Sequence, residues 1–139
     1  LNLCDEVLMS GPDNEAEVRN LTGGHGVERA IDCSAHHAAR ATAIKATRKW
    51  GKIVLIGEGG NLEINPSPDM IHDQKKLYGS WVTSTWLMEE LVERLVSWNL
   101  HPSELVTHRF ALKDIASAYS LMASGKCGKV AVCFDEELN

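Results

Sequence analysis

Three glycine-rich segments of this chain have compositions that could bind a phosphate group. Residues 24–29 begin Gly-His-Gly but lack the third glycine of a dinucleotide fingerprint. They also join a predicted helix to a predicted strand, whereas the fingerprint joins a strand to a helix. Residues 57–60 follow a strand but open no clear helix. Residues 125–129 separate their glycines by only two residues, unlike a Walker loop. All three segments are therefore interpreted as turns.

Paired histidines are the next candidate for chemistry. His36 and His37 could hold a metal ion, but neighbouring residues point apart on a helix, so the pattern favours two solvated imidazoles at a helix start. No order of serine, histidine and aspartate supports a nucleophilic triad. The residue types alone therefore yield no catalytic constellation.

The cysteines are also without a metal-binding pattern. No two of them form a Cys-x-x-Cys pair, which disfavours a structural zinc site, and their density is low for a disulfide framework. We expect free thiols in a reducing cytoplasm. The four residues are Cys4, Cys33, Cys127 and Cys133.

Composition limits the classes of partner. The 139 residues carry a net charge of -5 with no basic run, which disfavours nucleic acid. No apolar run approaches the roughly 20 residues of a membrane span. The first residues turn acidic within five positions, which disfavours a signal peptide. These features predict a soluble, globular domain in the cytoplasm.

The hydrophobic pattern predicts the elements that would position a site. Short apolar runs alternate with helical patterns up to residue 82, which predicts parallel strands joined by right-handed crossovers. After residue 82 the order becomes helix, helix, strand, so we place a boundary there. Predicted strands are 5–10, 28–34, 53–56, 62–64, 76–82 and 129–134, with 106–110 extended; predicted helices are 13–21, 36–49, one beginning at Ser84 or Thr85, and 112–122. We expect Trp81, Trp86 and Trp98 to be buried by packing.

Several segments match a known family in register. Residues 22–34, 51–57, 78–82 and 110–130 together resemble the last third of a zinc-type medium-chain alcohol or polyol dehydrogenase. The resemblance implies an incomplete Rossmann-like parallel α/β sheet with helices on both faces, followed by an αα-β tail. It assigns residues 1–82 to the second half of a dinucleotide-binding domain and residues 83–139 to the return segment of the catalytic domain.

The resemblance also implies which strands are present. In the family's order 3-2-1-4-5-6, this chain would supply strand 3 at 5–9, strand 4 at 29–34, strand 5 at 52–57 and strand 6 at 77–82. Strands 1 and 2, with the glycine-rich pyrophosphate turn and the ribose-reading acid, would be missing. The catalytic zinc ligands would be missing as well, so the chain would hold no metal itself.

The cofactor implied by the resemblance is NAD or NADP, and the remaining contacts would form the far wall of its site. Two positions depart from the family pattern: Ala35 stands where glycine is frequent, and Glu58 would place a negative charge near the nicotinamide. Lys129 would reach the pyrophosphate, and backbone groups of Ser80 and Val82 would hold the carboxamide. The positions implied are Cys33, Ser34, Ala35, Ile56, Gly57, Glu58, Ser80, Val82 and Lys129.

The function implied is hydride transfer from an alcohol to nicotinamide, with the chain inactive alone. Two alternatives remain open: a non-catalytic module that binds a nucleotide or itself, and a part of a zinc-free reductase. A small-molecule alcohol would be the substrate only of the complete enzyme. Strand 4 would have an exposed edge that invites pairing. Three outcomes are open: strand 3 fills the gap, another copy fills it, or the chain is poorly soluble. In the family the strand-6 edge often joins two subunits, so the resemblance also implies a homodimer.

Overall fold

A computed structural model describes residues 4–134 of the chain. These residues divide into two compact units, with the division between Val82 and Thr83. Each unit contains its own parallel strand pairing, so each is described by itself.

The first unit contains a βαβ arrangement that continues into a third strand. Helix α1 (Asn14–Leu21) precedes strand β1 (Val27–Asp32), helix α2 (His37–Lys45), strand β2 (Thr47–Leu55) and strand β3 (Lys76–Gly79). The strands form one sheet in the order β1-β2-β3, and both pairings are parallel. The predicted class, a parallel α/β sheet of the Rossmann-like kind, is confirmed.

The core of this unit lies between α2 and one face of the sheet. Ile44 of α2 and Ile53 of β2 are completely buried, and Thr47 between them is buried as well. Side chains of paired parallel residues share a face, so Ala30, Ile53 and Leu77 lie on the face that is buried at its centre. The opposite face is open.

Exposed apolar side chains mark that open face. Ile31 is 64% exposed and Tyr78, which lies two strands away in the same row, is 45% exposed. Burying a side chain of this size contributes roughly 1.5–3 kcal/mol, and the open face forgoes most of that contribution. The two faces of the sheet are therefore unequally covered within the described residues.

A bulge of four residues in β2 interrupts its pairing with β1. Val27 is opposite Thr47, but Arg29 is already opposite Lys52, so residues 48–51 face a single position of β1. Trp50 in this bulge has φ +63°, a conformation that costs a bulky side chain about 1–2 kcal/mol. The next residue, Gly51, has to be a glycine because a Cβ at this position would lie 2.2 Å from the Thr47 methyl carbon. The bulge is therefore closely fitted to its neighbours.

Two predicted boundaries in this unit are wrong. The helix predicted over 36–49 ends at Lys45, because the carbonyl of Ala46 accepts a hydrogen bond of 2.9 Å from the amide of Val27. That carbonyl joins the sheet instead of a further helical turn, and β2 begins at Thr47.

Two predicted strands are absent from the described residues. Residues 5–9 and 62–64 form no strand. In the expected strand order, the segment 5–9 would pair with strand 2, and among residues 4–134 no strand lies beside it. The segment has not moved beside β1, which keeps an unpaired edge within the described residues.

The second unit contains two helices and a parallel strand pair. Helix α3 (Thr85–Ser97) is followed by strand β4 (Val106–Ala111), helix α4 (Ile115–Ala123) and strand β5 (Lys129–Cys133), and β4 pairs with β5. The predicted αα-β tail therefore contains one strand more, because the extended segment after α3 finds a partner. The predicted cap of α3 is confirmed: the Ser84 hydroxyl accepts a hydrogen bond of 3.2 Å from the Leu87 amide.

The tryptophans of this region differ from expectation. Trp81, Trp86 and Trp98 are all exposed, so the prediction that they are buried is wrong. Within the described residues no helix or strand packs extensively against α3, which leaves its apolar side without a cover.

Among residues 4–134, no helix is long and apolar enough to cross a bilayer.

The bulge yields a stability prediction. Gly51→Ala should lower the free energy of unfolding by about 1–3 kcal/mol, because the added methyl group would meet the Thr47 side chain and, at 2.8 Å, the Arg48 carbonyl oxygen. Gly79→Ala is the matched control, since a Cβ there would meet nothing within 4 Å. Urea denaturation of both variants measures the difference; equal midpoints would contradict the fitted bulge.

Candidate functional site

The carboxyl ends of β1, β2 and β3 meet at one edge of the first sheet, because all three strands are parallel. Residues 33–35 follow β1, residues 56–58 follow β2, and Ser80 follows β3. The amides of Ile56 and Gly57 donate to the carbonyl of Asp32, at 2.9 and 3.1 Å. The structure therefore brings these predicted positions to one edge.

The two remaining predicted positions are placed differently. Val82 lies three residues beyond the end of β3 and has φ +43°. Lys129 is the first residue of β5, in the second unit.

A buried carboxylate organises the turn after β1. The Asp32 side chain accepts hydrogen bonds from the Ser34 amide at 3.0 Å, the Ser34 hydroxyl at 2.7 Å and the Ala35 amide at 3.2 Å. These contacts bend residues 33–35 around Asp32. The last residue of the strand thus sets the path of the chain that follows it.

Arg40 connects this turn to the end of β2. Its Nε lies 3.0 Å from an Asp32 carboxylate oxygen, and its Nη2 donates to the Gly57 carbonyl at 2.6 Å. Both Asp32 and Arg40 are buried. A buried ion pair requires its remaining donors and acceptors to be satisfied, and here the backbone supplies those partners. One arginine of α2 therefore holds two strand ends together.

The electrostatics of Asp32 follow from these partners. Burial by itself raises the pKa of this carboxyl, but the hydrogen bonds from Ser34, Arg40 and the Ala35 amide outweigh burial and leave the pKa below its usual value of 3.8. Asp32 is therefore a charged, structural carboxylate and a poor proton donor near neutral pH.

Most polar groups at this edge are occupied internally. The Ser34 hydroxyl donates to Asp32 and accepts from the His36 amide at 3.1 Å. The Gly57 amide and carbonyl are both bonded, and the Ser80 amide donates to the Leu55 carbonyl at 3.0 Å. A ligand here would meet the exposed surfaces of Cys33, Ile56 and Glu58 more than free hydrogen-bond donors.

The glycines of the loop after β2 are required by close packing. A Cβ at Gly57 would lie 2.4 Å from the Ala35 amide nitrogen, and one at Gly60 would lie 1.9 Å from the Ala35 carbonyl oxygen. Ala35 itself has φ +61°, which explains why glycine suits this position. The loops after β1 and β2 thus touch backbone to backbone.

A cleft of about 390 Å³ adjoins these loops and is lined by Ala35, His36, His37, Gly60, Asn61 and Glu63. The two imidazole rings stack with centroids 4.5 Å apart, so the prediction that they point apart is wrong. His36 precedes the helix in an extended conformation, and helical geometry does not apply to it. Among residues 4–134, no three His, Cys, Asp or Glu side chains group closely enough to hold a metal ion.

Sequence reasoning missed the Asp32–Arg40 pair. A usable signal was present, because Arg40 and Ile44 are four residues apart and therefore share a helix face. If Ile44 packs on the sheet, Arg40 must also face it and needs a buried acid. Asp32, at the end of the preceding apolar strand, is the residue that meets this need.

Comparison with known proteins places the chain. The family described as zinc-binding dehydrogenase matches residues 4–98. The chain belongs to this family. An uncharacterised zinc-type alcohol dehydrogenase-like protein of Escherichia coli is 45% identical over 119 residues, which is 86% of this chain and 33% of that protein. An L-threonine 3-dehydrogenase of Symbiobacterium thermophilum is 33% identical over 125 residues, 85% of this chain and 34% of that enzyme.

Solved structures agree with this zinc-binding dehydrogenase assignment. An NAD-dependent alcohol dehydrogenase superposes with a TM-score of 0.74 at 26% identity, covering 90% of this chain and 36% of that one. The alcohol dehydrogenase of Aeropyrum pernix has the same fold, with a TM-score of 0.77 over 92% of this chain and 36% of its own, at 23% identity. The chain thus spans about a third of the length of the relatives it matches.

The buried ion pair yields a prediction about pH. Because the folded pKa of Asp32 is lowered, its stabilisation is present above the unfolded value of 3.8 and is lost as pH falls through the folded value. Asp32→Asn should lose about 3 kcal/mol at neutral pH, since Arg40 is left buried without its anion. It should also show a shallower loss of stability in acid.

Urea midpoints measured between about pH 7 and pH 3 check this expectation. Asp13→Asn is the control, because Asp13 is exposed and its side chain makes no helix-capping hydrogen bond. The double variant Asp32→Asn, Arg40→Met should be less destabilised than Asp32→Asn alone. A single variant as stable as the wild type would show that the pair contributes nothing.

Proposed function

We propose that this chain forms one wall of the nicotinamide cofactor site of an NAD(P)-dependent alcohol or polyol dehydrogenase. The observation that carries the proposal is the common edge where residues 33–35, 56–58 and 80 meet. Ligands of open parallel sheets bind in the crevice outside the carboxyl ends of the strands. The proposed contacts at residues 33–35, 56–58 and 80 lie at this edge of the sheet, and the chain belongs to a dehydrogenase family.

The chain's own residues would act mainly by shape. Ile56 and Cys33 would offer an exposed surface to the cofactor, while the Asp32–Arg40 pair keeps their two loops at a fixed separation. With the Ser80 amide already bonded, the Ser80 carbonyl is the backbone group left for the carboxamide. The nicotinamide itself accepts the hydride.

We infer that the chain does not oxidise alcohols by itself. Its sequence has no complete glycine-rich phosphate turn, and residues 4–134 offer no cluster that fits a zinc ion. No catalytic step can be assigned to zinc on these residues. In this proposal residues 1–82 belong to the cofactor domain and residues 83–139 to the catalytic domain of a longer enzyme.

Titration with NADH tests the proposed wall. Amide chemical shifts in ¹H–¹⁵N spectra should change at residues 33–35 and 56–58, with weak affinity near about 1 mM because the pyrophosphate turn is lacking. Gly57→Ala should abolish these changes, since its methyl group would force the loop away from Ala35. Alcohol oxidation by the chain should stay at background.

The control variant is Gly11→Ala, where a Cβ would make only ordinary contacts of 3.8 Å or more. It should respond to NADH like the wild type. Shifts confined to other residues, or none at all, would refute the cofactor wall. Turnover by the purified chain would refute the inference that it is inactive alone.

We also propose, as a second candidate, that the chain associates with a second copy of itself. The unpaired edge of β1 and the exposed Ile31 on the open face favour this function, because such features promote pairing. A homodimer would cover apolar surface that the described residues leave open.

Sedimentation velocity distinguishes this candidate. Ile31→Lys should shift the equilibrium toward the monomer, because the lysine charge would have to lose its hydration where the two copies meet on the open face. Ile71→Lys is the matched control, since Ile71 is equally exposed, at 64%, but lies outside the sheet. A wild-type chain that is monomeric at all concentrations would exclude self-association.

A further inference from the structure

The bulge in β2 builds a second cleft at the opposite end of the same sheet. This cleft has a volume of about 510 Å³ and is lined by Arg19, Gly24, His25, Arg48, Lys49, Trp50 and Asp73. It lies at the amino ends of β1 and β2, whereas the proposed cofactor wall follows their carboxyl ends. Strand length separates the two regions by roughly 17 Å.

The bulge explains why these side chains are gathered here. Residues 48–51 exceed the number needed to pair with β1, so they leave the regular ladder. The Trp50 amide donates to the Asp73 carbonyl at 2.9 Å, which fixes the bulge against the loop before β3. The indole stays 63% exposed despite the unfavourable φ of its residue. Strained positions of this kind often occur at functional sites.

The cleft is basic, although the chain as a whole carries a charge of -5. Arg19, Arg48 and Lys49 supply three cations. The carboxylate of Asp73 lies 3.2 Å from the Nζ atom of Lys75, a residue that does not itself line the cleft. The one acidic side chain of the lining is therefore already neutralised by a buried lysine.

The cations of the cleft are not equally engaged. Arg19 pairs with Glu15 at 3.3 Å and also donates to the carbonyls of Lys45 and His25, at 2.6 and 3.4 Å. Arg48 pairs with Glu28. Among the described residues Lys49 forms no ion pair or side-chain hydrogen bond within the chain. Lys49 is therefore the cation on which a site in this cleft chiefly depends. An anion entering the cleft would therefore gain at least one uncompensated positive charge.

We propose that this cleft binds a phosphate monoester attached to a planar ring, as in an aryl phosphate. Lysine and arginine side chains are suited to the phosphate oxygens, and an exposed indole is suited to stack on a ring. The volume is within the range of small-molecule sites, roughly 300–1,000 Å³. The proposal stands on the bulge and the charges of its lining, and it does not depend on the proposed function.

Phenyl phosphate is the probe for the first test. It should cause saturable ¹H–¹⁵N shift changes at residues 24–25 and 48–50, and it should bind more tightly than inorganic phosphate. Lys49→Gln should weaken binding about tenfold, a loss of one charged hydrogen bond. Lys52→Gln, an exposed lysine of the same strand outside the cleft, should bind like the wild type.

Trp50→Leu tests the aromatic part of the proposal while making the same backbone demand at this position. Phenyl phosphate should then bind no more tightly than inorganic phosphate. Three results would overturn the proposal: no saturable change at these residues, equal affinity in Lys49→Gln and the wild type, or changes that fall at 33–35 and 56–58 instead. Loss of amide chemical-shift dispersion identifies any variant that has unfolded. If Lys49→Gln unfolds, Lys49→Arg replaces it as the test, and this variant should retain binding because it keeps the charge.

Discussion

The hydrogen-bonded ion pair between Asp32 and Arg40 is the interaction on which the first unit depends. It satisfies the buried carboxylate at the end of β1, and through the Gly57 carbonyl it also fixes the loop after the next strand. Leaving either charge without the other would be costly in this buried position. The pair therefore links the packing of α2 to the shape of the sheet edge where ligands of such folds bind.

The two ends of β1 and β2 use different means to escape regular pairing. At the carboxyl end, loops approach backbone to backbone around Gly57 and Gly60. At the amino end, surplus residues leave the ladder and carry Arg48, Lys49 and Trp50 outward. The first arrangement uses up polar groups, and the second leaves Lys49 without an ion pair among the described residues and the Trp50 ring exposed. One sheet thus presents two surfaces of opposite chemical character.

Much of this fold could be predicted from local pattern. The helix beginning after Ser84 and the strand around Ile53 follow from capping and from a continuous apolar run, which need no knowledge of distant residues. The segment 5–9 differs from expectation because strand formation depends on a partner strand, and none lies beside this segment among the described residues. The ion pair and the bulge escape local pattern because each depends on tertiary contacts, with Asp32 meeting Arg40 and Trp50 meeting Asp73.

The spacing of the strand pairs bears on how the chain folds. Paired residues of β1 and β2 are between 20 and 23 positions apart, those of β2 and β3 are 24 apart, and those of β4 and β5 are 22 or 23 apart. Loop-closure entropy rises slowly with length, so each pairing costs a similar amount. Each unit can therefore assemble from one contiguous stretch of chain, and the first unit can do so before the second has emerged from the ribosome.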